Sequence, residues 1–65
     1  MNETAQREMA RRLARLGVDM QTALTISCRV RRPEHEEEML KWLRENPDAD
    51  PMAAVLAARE IAPAR

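Results

Sequence analysis

The sequence predicts an all-α domain, a compact bundle of four short helices at about residues 3–16, 19–31, 33–46 and 51–62. Three observations carry that expectation. Apolar residues return at three- and four-residue steps along most of the chain. Helix punctuation (Gly17, Asp19, Pro33, Asn46-Pro47 and Asp50-Pro51) falls between the periodic stretches. The 65 residues include no Phe or Tyr, one Trp and five Met, so any core rests on Leu, Ile, Val, Ala and Met. A chain of this length buries only about 60% of its unfolded surface, which fits one small domain, residues 1–65, and leaves no room for a large enzyme cleft.

In the first helix Ala5, Met9, Leu13 and Leu16 share one face, Asn2 or Thr4 can cap its start, and Gly17 supplies the left-handed stop. Arg7, Arg11 and Arg15 form a row about 12 Å long on the opposite face, read as a solvated face. Glu3 and Glu8 stand four residues before Arg7 and Arg12 and can pair with them. Val18-Asp19 then reads as a hydrophobic staple and N-cap, with Val18 placed to touch Ala23.

The second segment fits two templates. As a strand over about 24–31, Leu24, Ile26, Cys28 and Val30 alternate with Thr25, Ser27, Arg29 and Arg31. As a helix, Val30, Ala23, Ser27, Met20, Leu24 and Cys28 share one wide arc, with Ile26 outside it. A strand has no partner within this chain and requires a dimer, which favours the helix.

The stretch Arg29-Val30-Arg31-Arg32-Pro33-Glu34-His35-Glu36-Glu37-Glu38 reads as the joint between two helices. Pro33 suits the first helical position, the glutamates meet the positive end of the third helix, and the arginines meet the negative end of the second. The third helix continues through Met39, Leu40, Trp42 and Leu43, with Glu37 and Lys41 as an i, i+4 pair, and stops at Asn46-Pro47. Asp50 caps and Pro51 starts the fourth, whose only charges are Arg59 and Glu60. Leu13, Leu16, Leu24, Leu40 and Leu43 are the expected core, with Trp42 at its edge.

Net charge is zero, yet residues 1–32 carry seven arginines against three acidic residues, and residues 33–65 carry four basic against eight acidic residues. Such a chain can neutralise itself internally, pair with a copy, or offer its basic half to nucleic acid. One cysteine excludes an intrachain disulfide, and no apolar run reaches the roughly 18 residues of a membrane span. The polar amino terminus lacks a signal-peptide core, so a reducing, cytoplasmic setting is expected.

Catalytic and metal chemistry have little to stand on. One His and one Cys cannot supply the three or four ligands of a zinc site, and the His35-Glu36-Glu37-Glu38-Met39 run lacks a second histidine four residues on. Cys28 has no base oriented by a third group and is expected as a buried small thiol. His35 is expected partly covered, packing on Trp42. A single glycine rules out a phosphate-binding loop. No enzyme activity, cofactor, metal or small-molecule substrate is therefore expected.

Three partial resemblances bear on function. Leu13-Ala14-Arg15-Leu16-Gly17-Val18, followed by Ala23, Ile26 and Met39-Leu40-Lys41-Trp42-Leu43, resembles the three-helix ubiquitin-associated domain, which implies an apolar partner-binding surface around Leu16-Gly17-Val18. Leu13, Leu16-Gly17-Val18, Thr22 and Ile26 resemble the turn of a helix-turn-helix module, which implies that Gln21, Thr22 and Thr25 face bases. The order strand, helix, helix over residues 24–62 is similar to ribbon-helix-helix repressors, dimers in which Thr25, Ser27 and Arg29 would read the major groove.

The expected function is that of a small, non-catalytic interaction or regulatory module that binds a protein partner or a second copy. Its surface is expected on the fourth helix, at Met52, Ala54, Val55, Ala57, Ala58 and Ile61, because that helix is apolar or small nearly all round. The alternative is a DNA-binding repressor using Thr25, Ser27 and Arg29. The secondary structure of residues 22–31 separates the ribbon from the bundle.

Overall fold

The structure is a computed structural model and describes residues 3–63. Helix α1 (Glu3–Arg15) buries Ala5, Met9 and Leu13 on one face. Its end is closed by two crossing hydrogen bonds: Val18 N–H donates to the Leu13 carbonyl at 3.1 Å and Gly17 N–H to the Ala14 carbonyl at 3.0 Å. Gly17 sits at φ +90°, so this is a Schellman stop, and the apolar residues it brings together, Leu13 and Val18, are both buried. Thr4 lies inside the helix and does not cap it. The Asn2 cap and the pairing of the Glu3 side chain with Arg7 fall outside the described set.

Helix α2 (Met20–Arg29) follows at once. Asp19 caps it, accepting from Thr22 N–H at 3.2 Å and from the Thr22 hydroxyl at 2.6 Å. Those bonds, the hydroxyl first, hold the Asp19 carboxyl below its usual range. The strand over 24–31 does not form. The helix satisfies its own backbone, and Val30 N–H still donates to the Ile26 carbonyl at 2.8 Å, whereas a lone strand would have left a row of unpaired groups. The helix ends two residues sooner than expected: the chain leaves helical geometry at Val30 (φ −97°, ψ 81°) and is extended at Arg32, before Pro33 (φ −71°, ψ 142°).

Helix α3 (Pro33–Glu45) starts on its proline and buries Glu36, Met39, Leu40 and Leu43. At its end the Asn46 side-chain amide donates to the Trp42 carbonyl at 2.8 Å. Glu37 and Lys41 are exposed and form no ion pair among the described residues. Helix α4 (Pro51–Ile61) begins after Asp50, whose backbone holds the N-cap position while its side chain makes no capping bond. The four helices form the expected all-α bundle.

Helix α1 packs on α2 and α3, and α4 packs on the same two, so α1 and α4 stand at opposite corners of a ring. Helices α2 and α4 run side by side in the same direction. At one end a Cβ added to Gly17 would sit 3.5 Å from Pro51 Cγ. At the other, Arg29 Nη1 donates to the Ala62 carbonyl at 3.1 Å. Met9, Leu13, Val30, Met39 and Leu43 are the largest fully buried side chains at the centre.

The core departs from expectation on α2. Ile26 and Val30 are buried, whereas Leu24 is 60% exposed and Cys28 is exposed. Ala23 and Ser27, half-buried, lie on the inward side as the helical wheel requires. Met20, Leu24 and Cys28, assigned to the same arc, lie outside it. Leu16 is half-buried and packs against the core from its edge, as does Trp42.

Two polar contacts tie α1 to α3. The Glu8 carboxylate accepts from Arg44 Nε at 2.9 Å and Arg44 Nη2 at 2.8 Å, and from Arg12 Nε at 2.8 Å. The two guanidiniums, Arg44 foremost, lower the Glu8 pKa from 4.5 to about 2. Deeper in, the Gln6 side-chain amide donates to the carboxylate of buried Glu36 and to the Val30 carbonyl at 3.4 Å. A single amide thus joins α1 to the start of α3 and the end of α2.

Candidate docking face

Among the described residues the large apolar side chains that remain exposed are Met20 (79%), Leu24 (60%), Met52 (64%) and Leu56 (50%). They form one i, i+4 pair on α2 and one on α4, the two helices that lie parallel and adjacent. On α2 the outward residues are Met20, Gln21, Leu24, Thr25 and Cys28, without a charge among them.

The residues singled out on α4 divide. Met52 is exposed, and Val55 and Ile61 are half-buried. Ala54, Ala57 and Ala58 are buried at 0%, 8% and 1% exposure, so they face the bundle and are not available to a partner. Their small side chains let α4 approach its own neighbours, as the core cluster they share with Leu40, Leu43 and Val30 requires. Leu56, Met20 and Leu24 replace them on the outside. The i, i+4 spacing of the two pairs is the sequence signal that marks them.

Two hollows border these helices, and another lies between α1 and α3. The first, about 240 Å³, lies between α3 and α4 and is lined by Trp42, Ala53, Leu56, Ala57, Glu60 and Ile61. The second, about 910 Å³, opens where α2 ends, α3 begins and α4 ends; Arg29, Arg31, Arg32 and His35 line it, and among the described residues no carboxylate does. The third, about 600 Å³, lies between α1 and α3 and has the opposite character, with Glu8, Glu34, Glu36 and Glu37 against Arg44.

Thr25, Ser27 and Arg29 do not share a face. On a helix, neighbours two residues apart point about 200° away from each other. Thr25 is exposed and lines the basic hollow with Arg29, while Ser27 turns toward the core side. The ribbon arrangement of these three residues is therefore absent. Gln21, Thr22 and Thr25 lie on α2, with Gln21 and Thr25 exposed and Thr22 half-buried beside its bond to Asp19. Arg7, Arg11 and Arg15 are exposed on α1. Around the first turn, Val18 is buried, Leu16 half-buried and Gly17 exposed, so that loop presents little apolar surface of its own.

Among the described residues no group of three His, Cys, Asp or Glu side chains stands where it could hold a metal ion, and no helix is long and apolar enough to cross a membrane. His35 is half-buried at the rim of the basic hollow. Comparison with protein-family models, with characterised proteins and with solved structures returns no match for this chain.

Proposed function

We propose that this chain is a small, non-catalytic interaction module that binds a protein through the outward side of α2 and α4. The carrying observation is that, among the described residues, the four exposed large apolar side chains lie on these two helices. Leaving such side chains in water forgoes about 1.5–3 kcal/mol apiece relative to burying them, so a partner that covers them gains what the monomer does not. A cytoplasmic setting belongs to the same reading and rests on the single cysteine.

A second reading, a DNA-binding module of helix-turn-helix type, draws support from Thr25 and Arg29 lining a hollow with Arg31 and Arg32. Against it, Glu34, 3.8 Å from Arg32, and Glu38, one turn on from His35, stand exposed beside that hollow, where a continuous polyanion would be repelled.

Selection from a peptide library displayed on phage tests the first reading against the second. The wild-type chain should enrich amphipathic peptides with apolar residues at helical spacing. The Leu24→Glu/Leu56→Glu variant, still helical by circular dichroism because both side chains are outside, should lose them. Equal enrichment by the variant, or retention of duplex DNA that falls steeply with salt in place of peptide selection, overturns the proposal.

A further inference from the structure

We infer that the partner is an acidic amphipathic helix, and that the basic hollow at the joined ends of α2, α3 and α4 takes its carboxylates. This rests on the docking reading above and adds the partner's chemistry. Met20, Leu24 and Cys28 follow one another at i, i+4 steps along α2, a row about 12 Å long. Cys28, the last of them, lines the basic hollow. The uncharged row on α2 therefore runs directly into a hollow of about 910 Å³ with three arginines, one histidine and, among the described residues, no acidic lining residue.

The guanidiniums differ in how they are held. Arg29 donates through Nη1 to the Ala62 carbonyl at 3.1 Å, which fixes it at the floor between α2 and the end of α4 and leaves its other N–H groups for a ligand. Arg32 has only a loose contact with Glu34, 3.8 Å apart, and its side chain is 74% exposed. Arg31 is exposed and enters no ion pair among the described residues. This set can take carboxylate oxygens in paired N–H bonds.

The flanking charge decides between a localised acid and a polyanion. Two exposed glutamates of α3 stand beside the hollow's lining, Glu34 at 3.8 Å from Arg32 and Glu38 one turn on from His35. One or two carboxylates placed among the arginines avoid them, whereas a duplex backbone, with a charge every ~1.7 Å of its axis, must cross them. Helical form in the partner follows from the row, because a helix laid along α2 matches its i, i+4 steps with its own. Acidic residues favour a helix's first turn, so the partner's amino end lies at the hollow and the partner runs antiparallel to α2.

The test uses fluorescence anisotropy with a labelled synthetic helix carrying two Glu in its first turn and Leu at i, i+4 spacing after them. A second peptide has both Glu replaced by Gln. The Glu peptide should bind the wild-type chain at least about tenfold more tightly than the Gln peptide, and the difference should shrink at high salt. The Arg31→Gln/Arg32→Gln variant leaves Arg29 and its bond to Ala62 in place. It should remove most of the preference while the Gln peptide binds it as it binds wild type. Equal binding of both peptides, with both lost in Leu24→Glu, overturns the acidic partner and leaves the apolar docking reading standing. Binding of the Glu peptide that Leu24→Glu does not weaken overturns the docking reading and with it this inference. Tighter, salt-dependent binding of duplex DNA than of the Glu peptide, lost in the arginine variant, assigns the hollow to phosphate and overturns the inference as well.

Discussion

The α1/α3 side of the bundle and the α2/α4 side face water in opposite ways. Outward on α1 and α3 stand Arg7, Arg11, Arg15, Glu34, Glu37, Glu38, Lys41 and Glu45, and the two helices are tied by the Glu8 carboxylate and by Gln6 on Glu36. Outward on α2 and α4 stand Met20, Leu24, Met52 and Leu56. Since a 65-residue chain has little stability to spare, apolar side chains left outside point to a role beyond folding, while charges left outside need none. Under the proposed function, folding rests on one side and recognition on the other.

The sharpest way to break that division is to compare two leucines. Leu43 on α3 is 1% exposed and Leu24 on α2 is 60% exposed. Leu43→Ala should cost about 2–5 kcal/mol, and Leu24→Ala within about 0.5 kcal/mol of nothing. Urea denaturation followed by Trp42 fluorescence measures both. Similar losses at the two sites would mean that α2's outer row is part of the fold.

The next effect probes the polar seam of the α1/α3 side. Glu36 is buried, and the Gln6 amide is its side-chain donor across thirty positions of sequence. Gln6→Leu strands a carboxylate and should destabilise by about 1–3 kcal/mol. Gln6→Leu combined with Glu36→Leu, which removes both partners, should recover much of that loss. A double mutant as unstable as the sum of the singles would show that the contact carries no coupling.

How much of this was legible follows from where each signal lives. Helix α1 was readable because its apolar face is continuous and Gly17 ends it, and α3 because Pro33 fixes its start. The inward side of α2 was only half readable. That short helix carries two apolar stripes, Ile26 with Val30 and Met20 with Leu24, and the choice between them depends on where α1 and α4 lie, which local pattern does not encode. The alanines of α4 announced a close helix approach, but not to what. The approach is to α4's own bundle, so Ala54, Ala57 and Ala58 belong to the core while Met52 and Leu56 stay outside. The burial of Glu36 had no local signal, because its donor is on another helix. The basic hollow was half legible: the arginine run is plain in sequence, but its meeting with the end of α4 is not.

A smaller effect is expected at the turn that joins the two sides. Gly17 holds φ +90° between α1 and α2, a conformation that costs a residue with a Cβ about 1–2 kcal/mol. The nearest atom to an added Cβ, Pro51 Cγ at 3.5 Å, is at ordinary contact distance. Gly17→Ala should therefore lose stability through backbone strain alone, and Gly17→Asn, which tolerates the left-handed region, should lose less. Equal losses would point to crowding against Pro51 as the cause.

The smallest expected effect is a pH dependence centred on the α1/α3 side. Glu8 titrates at about 2 in the folded chain against 4.5 for a free carboxyl, through its bonds to Arg44 and Arg12. A carboxyl whose folded pKa is depressed lends stability that is fully present above the unfolded value. That stability fades as pH falls from about 4.5 and is gone once the folded group is protonated near 2. Asp19, also lowered, adds a fall in the same direction at the start of α2. The clasp is partly open to solvent, the Glu8 side chain being 24% and the Arg44 side chain 54% exposed, so salt should weaken it. Urea midpoints taken between pH 6 and pH 2 should decline for the wild type. In Glu8→Gln they should start lower and decline less, keeping the share that belongs to Asp19. Raising the salt should narrow the gap between the two proteins at pH 6. A Glu8→Gln profile parallel to the wild type across that range would show that the bidentate contact with Arg44 does not hold α1 to α3 in solution, and the stability of that side would then rest on its apolar packing alone.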